Sequence, residues 1–198
     1  MRPKLRDPTT PERPDAGTPT RKPPRPVTPA VLDRMALAYL ERFASSAQNL
    51  RRVLARKVER RCRLREEAPE AALGLVEEAV ARAVRGGLVD DAAYAQGRVA
   101  SLRRRGGSRR AIAARLAAKG VPSGTIDAAL AQDAEARVEH DPDADPEMEA
   151  AMALARRRRL GPFRTSGRTE NRERDLARLA RAGFSYGVAR AVVDARDE

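Results

Sequence analysis

The sequence predicts an all-α protein in which three tandem three-helix repeats form an elongated, curved array behind a disordered N-terminal tail. Apolar residues recur at steps of three and four along most of the chain, and no segment alternates apolar and polar residues as strands do. Glycines and prolines divide the apolar segments into short helices. One order of parts also recurs: a long helix, an arginine run, a capped helix, a glycine and a short helix. Such recurrence is typical of repeat proteins.

The first 28 residues differ in composition from the rest of the chain. They contain eight of the 14 prolines and seven basic residues, and their only sizeable apolar side chains are Met1, Leu5 and Val27. Such a segment cannot bury enough apolar surface to offset the entropy lost on ordering. We therefore predict a disordered, basic, proline-rich tail over residues 1–28.

Residues 29–88 are predicted to form the first repeat. Thr28 and the proline after it are typical of a helix start. A second helix is expected after Ser46 and a third after Pro69, and a glycine pair that begins at Gly86 ends the third. The residues expected on the apolar faces of these helices are Leu32, Met35, Tyr39, Phe43, Leu50, Val53, Leu54, Val58, Leu73, Val76, Val80 and Val84.

Residues 89–132 and 145–198 are predicted to form the second and third repeats, separated by an acidic linker over residues 133–144. Asp90 and Asp91 are expected at the N-terminus of the first helix of the second repeat, and Ser108 is expected to cap its middle helix. The expected inward-facing residues are Ala95, Val99, Leu102, Ile112, Leu116, Ile126 and Leu130 in the second repeat, and Met148, Met152, Ala155, Leu176, Leu179, Val188 and Val192 in the third.

An internal match supports the repeat. When residues 109–130 are shifted by 63 positions, eight of their 22 residues coincide with identical residues. Among these pairs are Leu116 with Leu179 and Gly120 with Gly183. Units this small bury little core alone, so neighbouring repeats are expected to pack end to end.

Charge is distributed unevenly along the chain. The net charge is +12, from 40 Lys and Arg against 28 Asp and Glu, and proteins this basic commonly bind nucleic acid or another polyanion. No acidic residue occurs between residues 92 and 126. The residues that we expect to bind a partner, through carboxylates of a protein or phosphates of DNA, are Arg98, Arg103, Arg104, Arg105, Arg109, Arg110, Arg115, Lys119, Arg156, Arg157, Arg158 and Arg159.

Codon usage and helix capping are two alternative origins of these arginines. Of the 40 basic residues 36 are arginine, and alanine is abundant too, as expected where GC-rich codons dominate. Arginines at helix C-termini also interact favourably with the helix dipole and with terminal carbonyls. That effect explains one or two cations per helix, whereas the runs at 103–105 and 156–159 contain three and four.

The chain lacks the residues that common catalytic and metal sites require. Cys62 is the only cysteine and His140 the only histidine, so neither a zinc site nor a catalytic triad can be assembled. The three aspartates that begin at Asp141 resemble the start of a calcium loop, but Pro146 replaces its glycine and Met152 its final glutamate. We therefore expect no catalytic residue, no metal, no cofactor and no enzymatic activity.

The expected environment follows from three further features. The longest apolar run, at 150–155, is six residues, too short to span a bilayer. The N-terminus has no apolar signal-peptide core, and a single cysteine forms no internal disulfide. We expect a soluble, cytoplasmic monomer that makes no membrane contact.

Particular motifs resemble those of a known family. The motif GLVDD-x2-YA at 87–95, the arginine run before Gly106, and RLAAKGV-x4-I-x2-AL at 115–130 are similar to the middle repeat of the RecX family. LARLARAGFSYGVARAVV at 176–193 resembles its closing repeat. The resemblance is looser at the charged stretch 58–69 and at Asp175, where an apolar residue is usual.

The resemblance implies a regulator of the bacterial recombinase RecA. RecX proteins are associated with inhibition of RecA recombinase, ATPase and coprotease activities, and thus with DNA repair, recombination and the SOS response. An elongated array would lie along the RecA–DNA filament, and the arginines would contact acidic patches of RecA or DNA phosphates.

A DNA-binding module that acts without RecA is the rival hypothesis. The helix–glycine–helix turns at Gly120 and Gly183 superficially resemble a helix-turn-helix. The presumed recognition helix after Gly120 reads SGTIDAAL, however, and this segment has no Arg, Asn or Gln to read base edges. The rival therefore has two forms, a protein that binds many DNA sequences and a helix-turn-helix protein that prefers one duplex sequence.

Overall fold

The computed structural model describes residues 24–195, and all regular secondary structure in that range is helical. The predicted all-α fold is therefore confirmed. A 3-10 turn, Gly161–Phe163, lies between the seventh and eighth α-helices. The α-helices are α1 (Pro29–Leu40), α2 (Ala47–Arg63), α3 (Glu70–Arg85), α4 (Asp91–Arg104), α5 (Arg109–Ala118), α6 (Ser123–His140), α7 (Pro146–Arg158), α8 (Arg172–Arg181) and α9 (Tyr186–Asp194).

These helices form three successive units, each with an apolar core of its own. The first unit comprises α1–α3, the second α4–α6 and the third α7–α9. The buried side chains of the three cores include Leu32, Leu50, Leu54 and Val58 in the first unit, Val99, Ile112, Leu116 and Leu130 in the second, and Leu160, Leu176, Leu179, Phe184 and Val192 in the third.

Short polar side chains begin six of the described helices. Thr28, Ser46, Asp90, Ser108, Asp145 and Ser185 each accept a hydrogen bond from a backbone N–H in the first helical turn. Caps of this kind stabilise a protein by about 1 kcal/mol each. They fix where the helices start, and the starts of α2 and α5 are also the points at which neighbouring units meet.

The first unit differs in detail from the sequence prediction. The charged stretch after Val58 continues α2 as far as Arg63. Cys62 is buried against α3 because it follows Val58 by four residues on the same helical face. Phe43 lies beyond the end of α1 and is half exposed. The centre of its ring lies 5.3 Å from the centre of the Tyr39 ring, and the two rings are tilted relative to each other. Val84 is also exposed, so the prediction that Phe43 and Val84 face the core is wrong.

The predicted tail falls for most of its length on residues 1–23, which lie outside the described residues. Its last residues contact the first unit. Arg61 and Arg65 donate hydrogen bonds to the carbonyls of Arg25 and Pro24, and Val27 packs against the first core. The segment 24–28 therefore has a defined place, which the proline-rich composition alone did not predict.

The predicted acidic linker is shorter than expected, because α6 continues to His140. Asp133 and Arg137 form an i,i+4 ion pair on this helix, and the alanines between the charged residues favour helix. Residues 133–140 are therefore helical, and the prediction of a linker there is wrong. An acidic composition is compatible with a helix when some of its charges are paired along the helical face.

The two junctions between successive units contain the same hydrogen bond. Ser46 Oγ caps α2 by accepting from a backbone N–H three residues later, and it donates to the carbonyl of Lys119 at the end of α5 at 2.5 Å. Ser108 Oγ caps α5 likewise and donates to the carbonyl of Ala182 at the end of α8 at 2.7 Å. Each hydroxyl thus starts one helix and holds the end of a helix in the next unit.

A carboxylate adds a second repeated contact. Asp91 at the start of α4 accepts a hydrogen bond from the Ala47 N–H at 2.8 Å. Glu147 at the start of α7 accepts from the Arg109 N–H at 2.7 Å. Ala47 and Arg109 are the first residues of α2 and α5, whose N–H groups have no partner within their own helix. The carboxylates satisfy these donors at the positive end of the helix dipole.

Glycine is required at both junctions by its conformation and by its neighbours. Gly120 and Gly183 follow α5 and α8 with φ of +77° and +95°. A Cβ at Gly120 would lie 2.3 Å from Gln48 Cγ, and a Cβ at Gly183 would lie 2.5 Å from Ser108 Oγ. Any larger residue would push the units apart, so these glycines set how closely the units pack.

The two end units lack these groups at the corresponding positions. Asn171 stands in the third unit where Ser108 stands in the second, and its side chain donates to the Gly167 carbonyl at 2.7 Å within its own loop. In the first unit, Val58 occupies the place of Gly120 and is buried inside α2. The repeated contacts are therefore confined to the two internal junctions.

Candidate partner-binding cleft

A cleft of about 390 Å³ lies at the junction between the second and third units. Its floor is apolar and includes Leu102, Ile112 and Leu154. A neighbouring pocket of about 430 Å³ shares Leu154 with it and extends toward Arg178. Five arginines line the cleft, which we call the arginine cleft: Arg105, Arg115, Arg157, Arg158 and Arg181.

Helix ends bring most of these arginines together. Arg105 follows the last residue of α4, while Arg158 and Arg181 are the last residues of α7 and α8. Gly106 makes this convergence possible, because it has a φ of +75° and a Cβ there would lie 2.5 Å from the Leu154 nitrogen. The turn after α4 therefore rests directly on the backbone of α7.

The charges of the arginine cleft are not neutralised within the described chain. None of its five arginines forms an ion pair or a side-chain hydrogen bond with residues 24–195, and no carboxylate from that range lines the cleft. The C-termini of α4, α7 and α8 contribute partial negative charges of roughly half a unit each. These offset only part of five full positive charges, so the cleft is an electropositive site suited to anions.

Arg103 does not belong to this exposed group, so its predicted place on a partner-binding surface is wrong. Its side chain is 3% exposed, and it donates to Glu147 of α7 and to the Gly107 carbonyl. Its Nε lies 3.3 Å from Asp133 Oδ2 without hydrogen-bond geometry. Two carboxylates hold it inside the protein because a buried charge requires partners. Arg103 therefore joins α4, α6 and α7.

The remaining predicted residues lie on the surface outside the cleft. Arg109 is 3.7 Å from Asp127, and the Arg156 guanidinium stacks 5.2 Å from the centre of the Phe163 ring. Lys119 Nζ reaches Asn49 Oδ1 across the first junction at 3.5 Å. The others, all exposed, are Arg98, Arg104, Arg110 and Arg159, and Arg159 ends α7 with a φ of +53°.

Sequence reasoning missed two arginines near the cleft. Arg178 lies 63 positions after Arg115, so the internal match already contained the signal for it. Arg181 corresponds in the same register to Ala118, and nothing in the repeat pointed to it. Its position at the end of α8 could be predicted from the sequence, whereas its approach to α5 results from the packing of the third unit on the second.

Asp175 occupies a position that was expected to be apolar, and the structure explains it. The carboxylate is fully buried in the third unit and accepts two hydrogen bonds from Arg164 and one from the Gly161 N–H. Burial by itself raises the pKa of Asp175, but the hydrogen bonds from Arg164 and Gly161 outweigh it and hold this pKa below its ordinary value. Asp175 thus ties the loop after α7 to α8.

Two findings concern metal binding and membranes. Across residues 24–195, no three His, Cys, Asp or Glu side chains come together in an arrangement that could hold a metal ion. In the same part of the chain, no helix is both long and apolar enough to cross a bilayer.

Comparisons with known proteins agree on one family. Residues 90–130 match the model of the second three-helix domain of RecX. The chain is 47% identical over 175 residues to the regulatory protein RecX of Myxococcus xanthus (strain DK1622), covering 87% of this chain and 89% of that protein. It is 33% identical over 186 residues to the regulatory protein RecX of Streptomyces coelicolor (strain ATCC BAA-471 / A3(2) / M145), covering 93% and 85%.

A solved structure has the same fold. The crystal structure of a regulatory protein RecX superposes with a TM-score of 0.58 at 22% identity, over 84% of this chain and 72% of that chain. Sequence identity over nearly the whole length, together with the domain match and the shared fold, leads to one conclusion: the chain belongs to the RecX family of regulatory proteins.

Proposed function

We propose that this protein binds the RecA–DNA filament and inhibits the recombinase, ATPase and coprotease activities of RecA, so that it modulates DNA repair and recombination. The observation that carries the proposal is the arginine cleft, where five cations without ion-pair partners in residues 24–195 line one junction. An anionic partner would offset the mutual repulsion of these charges, so the cluster favours a partner of that kind. The filament offers carboxylates of RecA and phosphates of DNA.

The chemistry of the cleft supports binding rather than catalysis. Its lining consists of arginines, glycines and aliphatic residues, and arginine stays protonated under all ordinary conditions. No lining side chain can therefore take up or release a proton, and none is a nucleophile. The cleft can hold and orient an anion, which is the activity required of an inhibitor that acts by contact.

The repeated architecture suits a polymeric partner. Three units follow one another through two equivalent junctions, so one chain can present several contact surfaces to successive subunits of a filament. Weak contacts on one chain act together, because after the first has formed the others are intramolecular. We propose that two exposed arginines of the second unit outside the cleft, Arg98 and Arg104, add such contacts.

Binding to DNA without RecA is the second candidate function. The guanidinium groups of the cleft suit phosphates as well as carboxylates. A helix-turn-helix that reads bases is less well supported, because Asp127 on the first turns of α6 pairs with Arg109 and the exposed residues around it are small. DNA binding through the cleft would therefore tolerate many sequences and weaken steeply with salt.

The test compares two variants that each lack three exposed arginines. The cleft variant carries Arg115→Gln, Arg157→Gln and Arg158→Gln, and the control carries Arg56→Gln, Arg60→Gln and Arg63→Gln on α2. RecA ATPase, RecA strand exchange and DNA affinity are measured with each. The cleft variant should need at least about tenfold more protein for half-inhibition, while the control matches the parent. Equal inhibition by both variants would place the functional surface elsewhere.

DNA affinity separates the two candidate functions. A parent protein that binds DNA tightly but leaves RecA activity unchanged at saturation supports the second candidate. A parent protein that inhibits RecA at concentrations at which it does not bind free DNA supports the first.

A further inference from the structure

The arginine cleft is lined by cations of two units. Arg105 and Arg115 belong to the second unit, while Arg157, Arg158 and Arg181 belong to the third. Like charges that face each other across a junction repel, and the repulsion is stronger near an apolar floor than in open water. On this side, the contact between the two units is electrostatically unfavourable.

Elsewhere the same junction is held by favourable contacts. The Ser108 hydroxyl donates a hydrogen bond to the Ala182 carbonyl. The Glu147 carboxylate accepts hydrogen bonds from both the Arg109 N–H and the Arg103 guanidinium. The junction therefore combines hydrogen bonds that close it with two arginine-bearing surfaces that oppose closure. Whatever neutralises the cleft will shift this balance toward a tighter junction.

The first junction shows how such cations can be satisfied internally. There, Arg52 of α2 donates to the Ala118 carbonyl at the end of α5 at 2.8 Å. In the second junction the residue that corresponds to Arg52 is Ala114, because each lies six residues after the serine of its junction. The residue that corresponds to Ala118 is Arg181, because each directly precedes the residue whose carbonyl accepts from that serine. The second junction thus lacks the crossing hydrogen bond and has an additional cation. The arginines of the cleft have no ion-pair partner within residues 24–195 and are available to an anion.

We propose that the arginine cleft is a site for phosphoryl oxyanions that bridges the second and third units and stiffens the junction between them. Guanidinium groups form paired hydrogen bonds with phosphate oxygens, and an anion with several such oxygens can accept from arginines of both units at once. A cleft of about 390 Å³ is within the size range of small-molecule sites. This inference uses the cleft of the proposed function, but it does not depend on RecA.

The first experiment measures binding to the full-length chain without RecA. Sodium pyrophosphate represents a free polyphosphate and a short single-stranded oligothymidylate represents a phosphodiester backbone, both titrated at constant ionic strength by calorimetry and thermal unfolding. We expect at least one of them to bind and to raise the melting temperature, because a ligand that binds the folded state stabilises it. Which of the two binds identifies the source of the phosphoryl group.

Variants locate the site. Arg115→Gln with Arg158→Gln removes one cation from each side of the cleft and should weaken binding at least about tenfold, whereas Arg56→Gln with Arg60→Gln should leave it unchanged. Circular dichroism checks that both variants fold. If neither probe binds, or if both variants bind as the parent does, the inference is wrong.

A distance measurement tests the stiffening itself. Cys62 is the only cysteine and is buried, so spin labels can be attached selectively to Ala117→Cys on α5 and Ala177→Cys on α8, both exposed positions. The bound probe should narrow the distribution of distances between the two labels in the otherwise unchanged protein. It should not do so when Arg115→Gln and Arg158→Gln are also present. An unchanged distribution in the parent at saturation would overturn the bridging role.

The result is distinguishable from failure of the proposed function. A cleft that binds a probe, in a protein whose cleft variant still inhibits RecA fully, supports the oxyanion site and contradicts the functional proposal. A cleft that binds neither probe, in a protein whose cleft variant no longer inhibits RecA, contradicts the oxyanion site and leaves carboxylates of RecA as the partner.

Discussion

The hydroxyl of Ser108 donates a hydrogen bond to the carbonyl of Ala182, 74 residues away, while it caps the helix that it precedes. Ser46 makes the same pair of bonds one unit earlier. One oxygen atom thus serves local helix formation and the packing of neighbouring units. Because both functions depend on the same group, the two are lost together when it is removed.

A comparison of serine-to-alanine substitutions at two positions should separate the stability that comes from the helix cap from the stability that comes from the junction hydrogen bond. Ser108→Ala removes a cap and a junction hydrogen bond, so we expect it to lower the free energy of unfolding by about 2–3 kcal/mol. Ser185→Ala removes only the cap of α9 and should cost about 1 kcal/mol. Urea denaturation of each variant provides the measurement. Equal losses would mean that the bond to Ala182 contributes nothing to stability.

Glycine substitutions should differ in sign according to position. Gly183→Ala places a Cβ 2.5 Å from Ser108 Oγ at a φ of +95°, so it should destabilise the protein by more than about 1 kcal/mol. Gly97→Ala lies within α4 with nothing near its Cβ and should stabilise it by about 0.5–1 kcal/mol. Thermal unfolding of both variants tests this contrast. A neutral Gly183→Ala would show that the units separate easily at this junction.

Neighbouring arginines in the run at 103–105 should behave differently. Within residues 24–195, Arg103→Ala leaves Asp133 with only Arg137 and Glu147 with only the Arg109 N–H as partners at a largely buried site, and we expect a loss of about 3 kcal/mol in the free energy of unfolding. Arg104→Ala removes an exposed side chain that has no ion pair within residues 24–195 and should stay within about 0.5 kcal/mol. Urea denaturation is suitable for this pair, because urea adds no salt that would screen the ion pairs. A stable Arg103→Ala variant would contradict the buried network.

Asp175 should make the stability of the third unit sensitive to acid. Its pKa in the folded protein is depressed, so its ionised form stabilises the fold above the unfolded pKa of about 3.9, and this stabilisation is lost as the pH falls through the lower folded pKa. Unfolding of the parent and of Asp175→Asn is compared from pH 7 to pH 2. The variant should be less stable at neutral pH, and the difference should shrink below about pH 4. A difference independent of pH would exclude this linkage.

The sequence predicted local features better than contacts between units. The caps at Ser46 and Ser108 could be predicted because a serine directly before a helical apolar pattern caps that helix through residues close to it in sequence. Their second hydrogen bonds were not, because these join residues more than 70 positions apart. The match of Leu116 with Leu179 found the repeat, and both side chains are buried.

Charged residues were the main source of error. Arg103 lies between exposed arginines in the sequence, and only the fold shows that two carboxylates enclose it. Asp133 was assigned to a linker on composition, although an arginine four residues later indicated helix. Arg181 approaches the cleft only after the third unit docks on the second. A charge pattern read along the chain does not show which charges are paired in space.

Asn171 in place of a serine, and Val58 in place of a glycine, have a consequence for assembly. At each internal junction a serine of one unit meets a carbonyl and a glycine of the next. Within residues 24–195 the third unit has Asn171 in place of that serine, and the first unit has Val58 in place of that glycine, so the two end units do not complement each other in this way. Repeat proteins commonly end in atypical repeats, which prevent further stacking. We therefore expect that copies of this chain do not join head to tail, and that its own growth into a fibre is blocked even at high concentration.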